Sequence, residues 1–209
     1  MIHGWPIPIR GTMWQGDRRW GSQPYGHGGK TIAQWGCTAT SLAEAQRASG
    51  VRAGATPQTV CERAMQAVPP VWAPGSSLAV LPRLARSAGF ACPDVEDAWS
   101  VSMPSGSGRM VAGGMSARQL SVAICDALDG HGLAPRRGFA WLQVDYTGDD
   151  VGEHWIMALA YDDDAIYCTD SAPARVIQLD RKTLTAPVLW GAVERRYRVV
   201  RGYPLSVSG

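Results

Sequence analysis

Between residues 130 and 138 the chain changes its hydrophobic period, and this change limits the possible folds more than any other feature of the sequence. Upstream, apolar and small residues recur at helical spacing. A helix opens at Cys37 and runs through small residues to Ala48, where Ser49-Gly50 supplies a stop. Thr56-Pro57 has the form of an N-cap followed by proline at the first helical position, and that helix runs to about residue 68, ended by Pro69-Pro70. Ser76 or Ser77 opens a third helix through Leu78, Leu81, Leu84 and Ala85 to Gly89, with Pro82 predicting a kink or a late start. Residues 93–115 are turn-rich, with a loop at 104–108. Ser116 then caps a helix carrying Leu120, Ala123, Ile124 and Leu128, which ends near Gly130. Downstream the pattern alternates, predicting strands over 138–146, 154–161, 165–169, 175–179 and 193–200. Helices first and an antiparallel sheet afterwards predict an α+β domain over residues 1–209, helical over about 37–130 and sheet over about 138–203.

Residues 1–36 are rich in Trp, Gly and Pro and read as an irregular packed arm with one short strand around 8–14. A 45% hydrophobic content supports a sizeable core. With 20 basic and 18 acidic residues the net charge is +2, too balanced to argue for a nucleic-acid or anionic-membrane partner. Arg196, Arg198 and Arg201 read as one solvated strand face. The N-terminus lacks the basic and apolar regions of a signal peptide, and no apolar run approaches the ~20 residues that span a bilayer. The expectation is a chain made in the cytoplasm, with export or delivery by a signal-independent route left open. Gly26-His27-Gly28-Gly29 lacks the lysine of a phosphate loop. The five cysteines stand at 37, 61, 92, 125 and 168, without a CxxC or HxxxH pair. They predict a reduced protein with mostly buried thiols, no metal site and no cofactor.

Two stretches carry chemistry. In the first, Gly36 precedes Cys37 at a predicted helix start. Free N–H groups and the helix dipole favour a thiolate there, and the thiolate is the nucleophile. In the second, His154 begins a strand, Asp162-Asp163-Asp164 forms an acidic turn, and the next strand ends at Asp170. A three-residue turn pairs Tyr161 with Ala165 and sets His154 opposite Ala172. Asp170 is then a diagonal neighbour on the same face, roughly 7 to 8 Å away at Cα. A two-residue turn sends Asp170 to the other face. A cysteine nucleophile needs a base, and the base needs a carboxylate or amide to orient it. Cys37, His154 and Asp170 fill those roles. Trp35 and Trp155 flank two of them in sequence, as cleft walls or as core.

These residues resemble a known family. Gln15-x-Asp17-x-x-Trp20-Gly21, then residues 32–37 and Ser41-Leu42-Ala43, look like the front half of the C39-like branch of papain-like cysteine peptidases. Gly152-x-His154-Trp155-Ile156, Tyr161-Asp162 and residues 166–170 look like its back half. The resemblance implies a papain-like fold, N-terminal helices packed on a C-terminal antiparallel sheet. It implies Cys37 as nucleophile, His154 as base, Asp170 as orienting acid and Gln15 as side-chain donor to the oxyanion, with Gln34 the competing candidate for that last role. Thr38 stands where the family commonly has glycine, and Ser171 where proline is usual. The implied activity is amide-bond hydrolysis through an acyl-enzyme, on a peptide, a protein or a peptidoglycan stem peptide. An antibacterial effector or lytic enzyme, with a cognate inhibitor or immunity protein as partner, fits the same reading. Transglutamination or deamidation would use the same residues. The alternatives of other classes are a catalytically idle binding module and a thiol redox protein.

Overall fold

The computed structural model describes residues 1–7, 12–26, 29–67, 80–101, 114–131, 138–146, 154–172, 174–190 and 193–207. A short strand β1 (His3–Gly4) is followed by α1 (Ile32–Trp35), α2 (Cys37–Ala48), α3 (Pro57–Gln66) and α4 (Leu81–Ser87). Two short strands, β2 (Phe90–Ala91) and β3 (Trp99–Ser100), come before α5 (Ala117–Asp129). The rest is strand: β4 (Gly138–Tyr146), β5 (His154–Tyr161), β6 (Ala165–Ser171), β7 (Ala174–Asp180), β8 (Thr185–Trp190) and β9 (Val193–Val207). The architecture is mixed helix and antiparallel sheet, as the change of period predicts.

Local chemistry sets the helix ends. Thr56 caps α3 by accepting from the Thr59 N–H at 3.2 Å, with Pro57 at the start. Ser116 and Gln119 cap α5 reciprocally, and Gly130 closes it at φ 81°, a left-handed conformation that glycine adopts without strain. Helix α4 starts late, with Pro82 in its first turn, where a missing N–H costs nothing. Ser76, Ser77 and the loop at 104–108 lie outside the described residues. Of the strand expected around 8–14, residues 12–14 are described and are not strand.

The sheet runs β2-β9-β4-β5-β6-β7, with β1 added to β5, and with β3 and β8 added to β9. Strand β8 also approaches β7, where Arg175 Nη1 donates to the Leu189 carbonyl at 3.2 Å, so the strand path nearly closes on itself. One face packs Phe139, Trp141, Trp155 and Met157 against Ile32, Leu42, Val60 and Leu84 of the first four helices. The other packs Leu142, Ile156, Ile166 and Tyr197 against Leu120, Ile124 and Leu128 of α5. Each fully buried Leu or Ile contributes about 1.5–3 kcal/mol, so the sheet is held from both sides. Among the described residues no helix is long and apolar enough to cross a membrane.

Of the two turn lengths left open, the two-residue one forms between β5 and β6: the Asp162 N–H donates to the Ala165 carbonyl at 2.9 Å, Tyr161 pairs with Ile166 and Ala160 with Tyr167. Continued without interruption, that register would put His154 and Asp170 on opposite faces, because a one-residue slip inverts every side chain. A bulge at Leu159 absorbs the offset, and Ala158 pairs with Cys168 and Met157 with Thr169. The Leu159 carbonyl accepts from the Trp5 N–H at 2.8 Å, which continues the pairing of β1 with β5. His154 and Asp170 thereby return to one face. A second irregularity, between Gln143 and Val144, leaves Val200 of β9 without an opposite residue. It keeps Arg201, paired with Gln143, on the same face as Arg198, paired with Asp145. Arg198 Nη2 lies 3.5 Å from the buried Asp145 carboxylate, so that face is only partly solvated.

Candidate active site

Helix α1 ends at Gly36, whose N–H donates to the Ile32 carbonyl at 2.7 Å. A Cβ at Gly36 would lie 2.4 Å from that carbonyl oxygen, so only glycine permits the tight joint between α1 and α2. The close approach made possible by this glycine is thus to the chain's own backbone. The Gly36 carbonyl accepts from the Thr40 N–H and hydroxyl, and Cys37 becomes the first residue of α2. Two ties fix that helix laterally. Trp141 Nε1 of β4 donates to Ser41 Oγ at 2.8 Å. The Tyr25 hydroxyl is hydrogen-bonded to Thr38 Oγ1, which gives the side chain after Cys37 a structural task that glycine could not perform.

His154 stands at the first position of β5 and is 8% exposed. Its Nε2 lies 2.7 Å from Asp170 Oδ1, and the ring is hydrogen-bonded to the Cys37 side chain, for which Nδ1 remains. Asp170 is fully buried, and both of its oxygens are occupied. Oδ1 also accepts from the Ala172 N–H at 3.0 Å. Oδ2 accepts from Arg175 Nε at 3.1 Å and from the Tyr197 hydroxyl at 3.3 Å. The Tyr197 ring lies 5.8 Å from the imidazole. Burial alone pushes the imidazole pKa down. The Asp170 carboxylate and the Cys37 sulfur outweigh burial and raise it to about 10.

The N-terminal arm delivers Gln15 to the same place. Its backbone N–H donates to the Ser171 carbonyl at 3.1 Å, and its Oε1 accepts from Ser171 Oγ at 3.0 Å. Its Nε2 donates to the Ala33 carbonyl at 3.0 Å. Two residues earlier, the Met13 N–H donates to the buried Glu44 carboxylate of α2, which anchors the arm to the Cys37 helix. Burial pushes the Glu44 carboxyl up, against the lowering effect of that bond. Gln34 is engaged differently: its Oε1 accepts from the Thr31 N–H at 3.1 Å in the capping box of α1, and it is exposed.

Cys37, His154 and Asp170 therefore meet in one chain of hydrogen bonds, and Gln15 lies next to Ser171, the neighbour of Asp170. Trp155 does not wall a cleft. It is 5% exposed and packs against Trp141 at 4.9 Å, since residues on the face opposite His154 enter the helical core. Trp35 is 41% exposed. Arg175, Tyr197 and Ser171 are the site residues that the sequence alone did not single out. Alternation along β6, β7 and β9 could have flagged the first two as facing Asp170, had the register been known. All five cysteines are buried thiols. Burial pushes Cys61 and Cys92 up to about 12 and Cys125 to about 11, and raises Cys168 as well. Comparison with protein-family models, with curated proteins and with solved structures finds no match to this chain.

The sign of a pH effect follows from the imidazole. Its pKa is raised above the ordinary 6.5, so its charge stabilises the fold fully below about 6.5, and that contribution fades as pH rises through about 10. The expected result is a thermal stability gap between wild type and His154→Gln that narrows from pH 6.5 to 10. Differential scanning fluorimetry across that range checks it, and a gap that widens with pH contradicts it.

Proposed function

We propose that this chain is a cysteine hydrolase of the papain-like, C39-like type, cleaving an amide bond through an acyl-enzyme. The observation that carries the reading is the His154 imidazole held between the Asp170 carboxylate and the Cys37 side chain, with Cys37 at a helix start. In this mechanism the His154 imidazolium already holds the proton given up by the Cys37 thiol, and the sulfur bonds to the carbonyl carbon. The carbonyl π electrons move onto oxygen, which meets the Cys37 N–H and the second hydrogen of Gln15 Nε2. On collapse the C–N bond breaks, and the imidazolium gives its proton to the departing amine. Water, deprotonated by His154, then attacks the thioester and releases the acid and the thiol.

Asp170 orients the ring and stabilises its charged form without taking its proton. The class of substrate is a peptide, a protein or a peptidoglycan stem peptide. The exposed indoles of Trp14, 51% exposed and adjacent to Gln15, and of Trp35, two residues before Cys37, support a substrate that offers apolar or sugar faces. The test uses p-nitrophenyl acetate as an acyl donor, with site-resolved mass spectrometry. The expected result is a burst of p-nitrophenolate with the acetyl group on Cys37, both lost in Cys37→Ala. Acetylation spread over other residues with no burst overturns the reading.

A further inference from the structure

We infer that Ser171 is a positioning residue that sets the orientation of the Gln15 amide, so that one strand end arms both the orienting acid and the oxyanion donor. The inference rests on the hydrolase reading above and extends it to a residue with no part in that reading. Ser171 closes β6 directly after Asp170 and is buried. Its carbonyl accepts from the Gln15 N–H at 3.1 Å, and its hydroxyl donates to Gln15 Oε1 at 3.0 Å. Backbone and side chain of one residue therefore grip backbone and side chain of the other.

The direction of that grip matters. A glutamine amide is useful to an oxyanion only if its nitrogen faces the developing charge; a flipped amide would present a second negative oxygen there. Here the Ala33 carbonyl takes one Nε2 hydrogen at 3.0 Å, and the Ser171 hydroxyl takes the opposite end of the amide. A flip would set Oε1 against the Ala33 carbonyl and lose that bond, while the Ser171 hydroxyl, which accepts as well as donates, could hold either end of the amide. The Ala33 carbonyl therefore fixes the flip, and Ser171 fixes where the amide sits and how its plane is turned, with the second Nε2 hydrogen directed to substrate. The hydroxyl also explains why serine serves after Asp170 where a proline could only supply the carbonyl. A fault in Ser171 should therefore act through Gln15 and not through His154.

A double-mutant cycle on the full chain tests this, with p-nitrophenyl acetate as the acyl donor and iodoacetamide as a second reagent. Acylation builds an oxyanion, whereas alkylation displaces iodide at a saturated carbon and builds none. Removing an oxyanion donor costs about 10²-fold, and loosening one costs less, about tenfold. Gln15→Ala is expected to slow acylation of Cys37 by the larger factor and Ser171→Ala by the smaller. The double variant should be no slower than Gln15→Ala alone. Alkylation of Cys37 should keep its wild-type rate in Ser171→Ala, which also shows that the site has kept its shape. The inference is overturned if Ser171→Ala leaves acylation unchanged, if its factor multiplies that of Gln15→Ala, or if alkylation slows with acylation. Should wild type itself fail to acylate at Cys37, the hydrolase reading falls and takes this inference with it.

Discussion

Replacement of His154 by alanine is expected to lower acyl transfer to Cys37 from p-nitrophenyl acetate by roughly 10²- to 10⁴-fold, the range of a positioned general acid–base group. The ring is the only group in the hydrogen-bond chain that can both take the thiol proton and return one to a leaving group. Asp170 is committed to four donors, one of them the Tyr197 hydroxyl. Acylation of the wild type should be level from neutral into alkaline pH, because the imidazole keeps the thiol proton up to about 10 and p-nitrophenolate leaves without one. The residual rate in His154→Ala should instead rise steadily with pH, because free hydroxide then does the work of the base. Stopped-flow release of p-nitrophenolate against pH distinguishes the two profiles. A variant that keeps wild-type rate and profile would remove His154 from the mechanism.

Asp170→Ala is expected to cost stability as well as activity, about 3–5 kcal/mol, the range for breaking a buried ion pair by removing one partner. The carboxylate is fully buried, and its loss takes a partner from the imidazole, the Arg175 guanidinium, the Tyr197 hydroxyl and the Ala172 N–H together. Arg175 suffers most, because its side chain is largely buried beside β8 and, among the described residues, keeps the Leu189 carbonyl as its remaining acceptor. Asp170→Asn should cost less, since the amide oxygen can still accept while its nitrogen must face one of the present donors. Urea titration followed by tryptophan fluorescence gives both values. Equal stability of all three proteins would mean that the carboxylate is a passenger in the core.

The sequence announces the site through the residues that must be particular. Gly36-Cys37 and the helix that follows are legible because small residues and a clear stop leave little choice, and α2 has the expected bounds. Strands β4 and β5 also begin and end as their alternation predicts. Strand β8 is not legible, because Pro187 argues against a strand. The proline is tolerated because β8 pairs with β9 alone among the described strands, where its missing N–H can face outward. The short strands β1, β2 and β3 have two residues each, too few for any period to show.

The meeting of His154 with Asp170 was legible only in part. Counting from the turn leaves the face open; the two-residue turn that forms would by itself send Asp170 to the other face, and the bulge at Leu159 brings it back. No local pattern marks that bulge: Ala158-Leu159-Ala160 reads as uninterrupted strand. The bulge shows only in the pairing of β5 with β6. Arg175 and Tyr197 escaped notice for the same reason, because which face they occupy depends on register and not on residue type. Gln15 and Gln34 stood as rivals in the sequence. The fold assigns Gln34 to the cap of α1 and brings Gln15 to Ser171 and Ala33.

The central claim is that His154 activates Cys37, and the most direct measurement is the alkylation rate of each of the five cysteines by iodoacetamide as a function of pH. Wild type and His154→Ala are compared site by site by mass spectrometry. Burial raises Cys61, Cys92, Cys125 and Cys168 and makes them poor nucleophiles at neutral pH. Cys37 is expected to react far faster than these four near pH 7, and His154→Ala to abolish its advantage. Cys37 reacting no faster than the others, or keeping its rate without the imidazole, would contradict that claim.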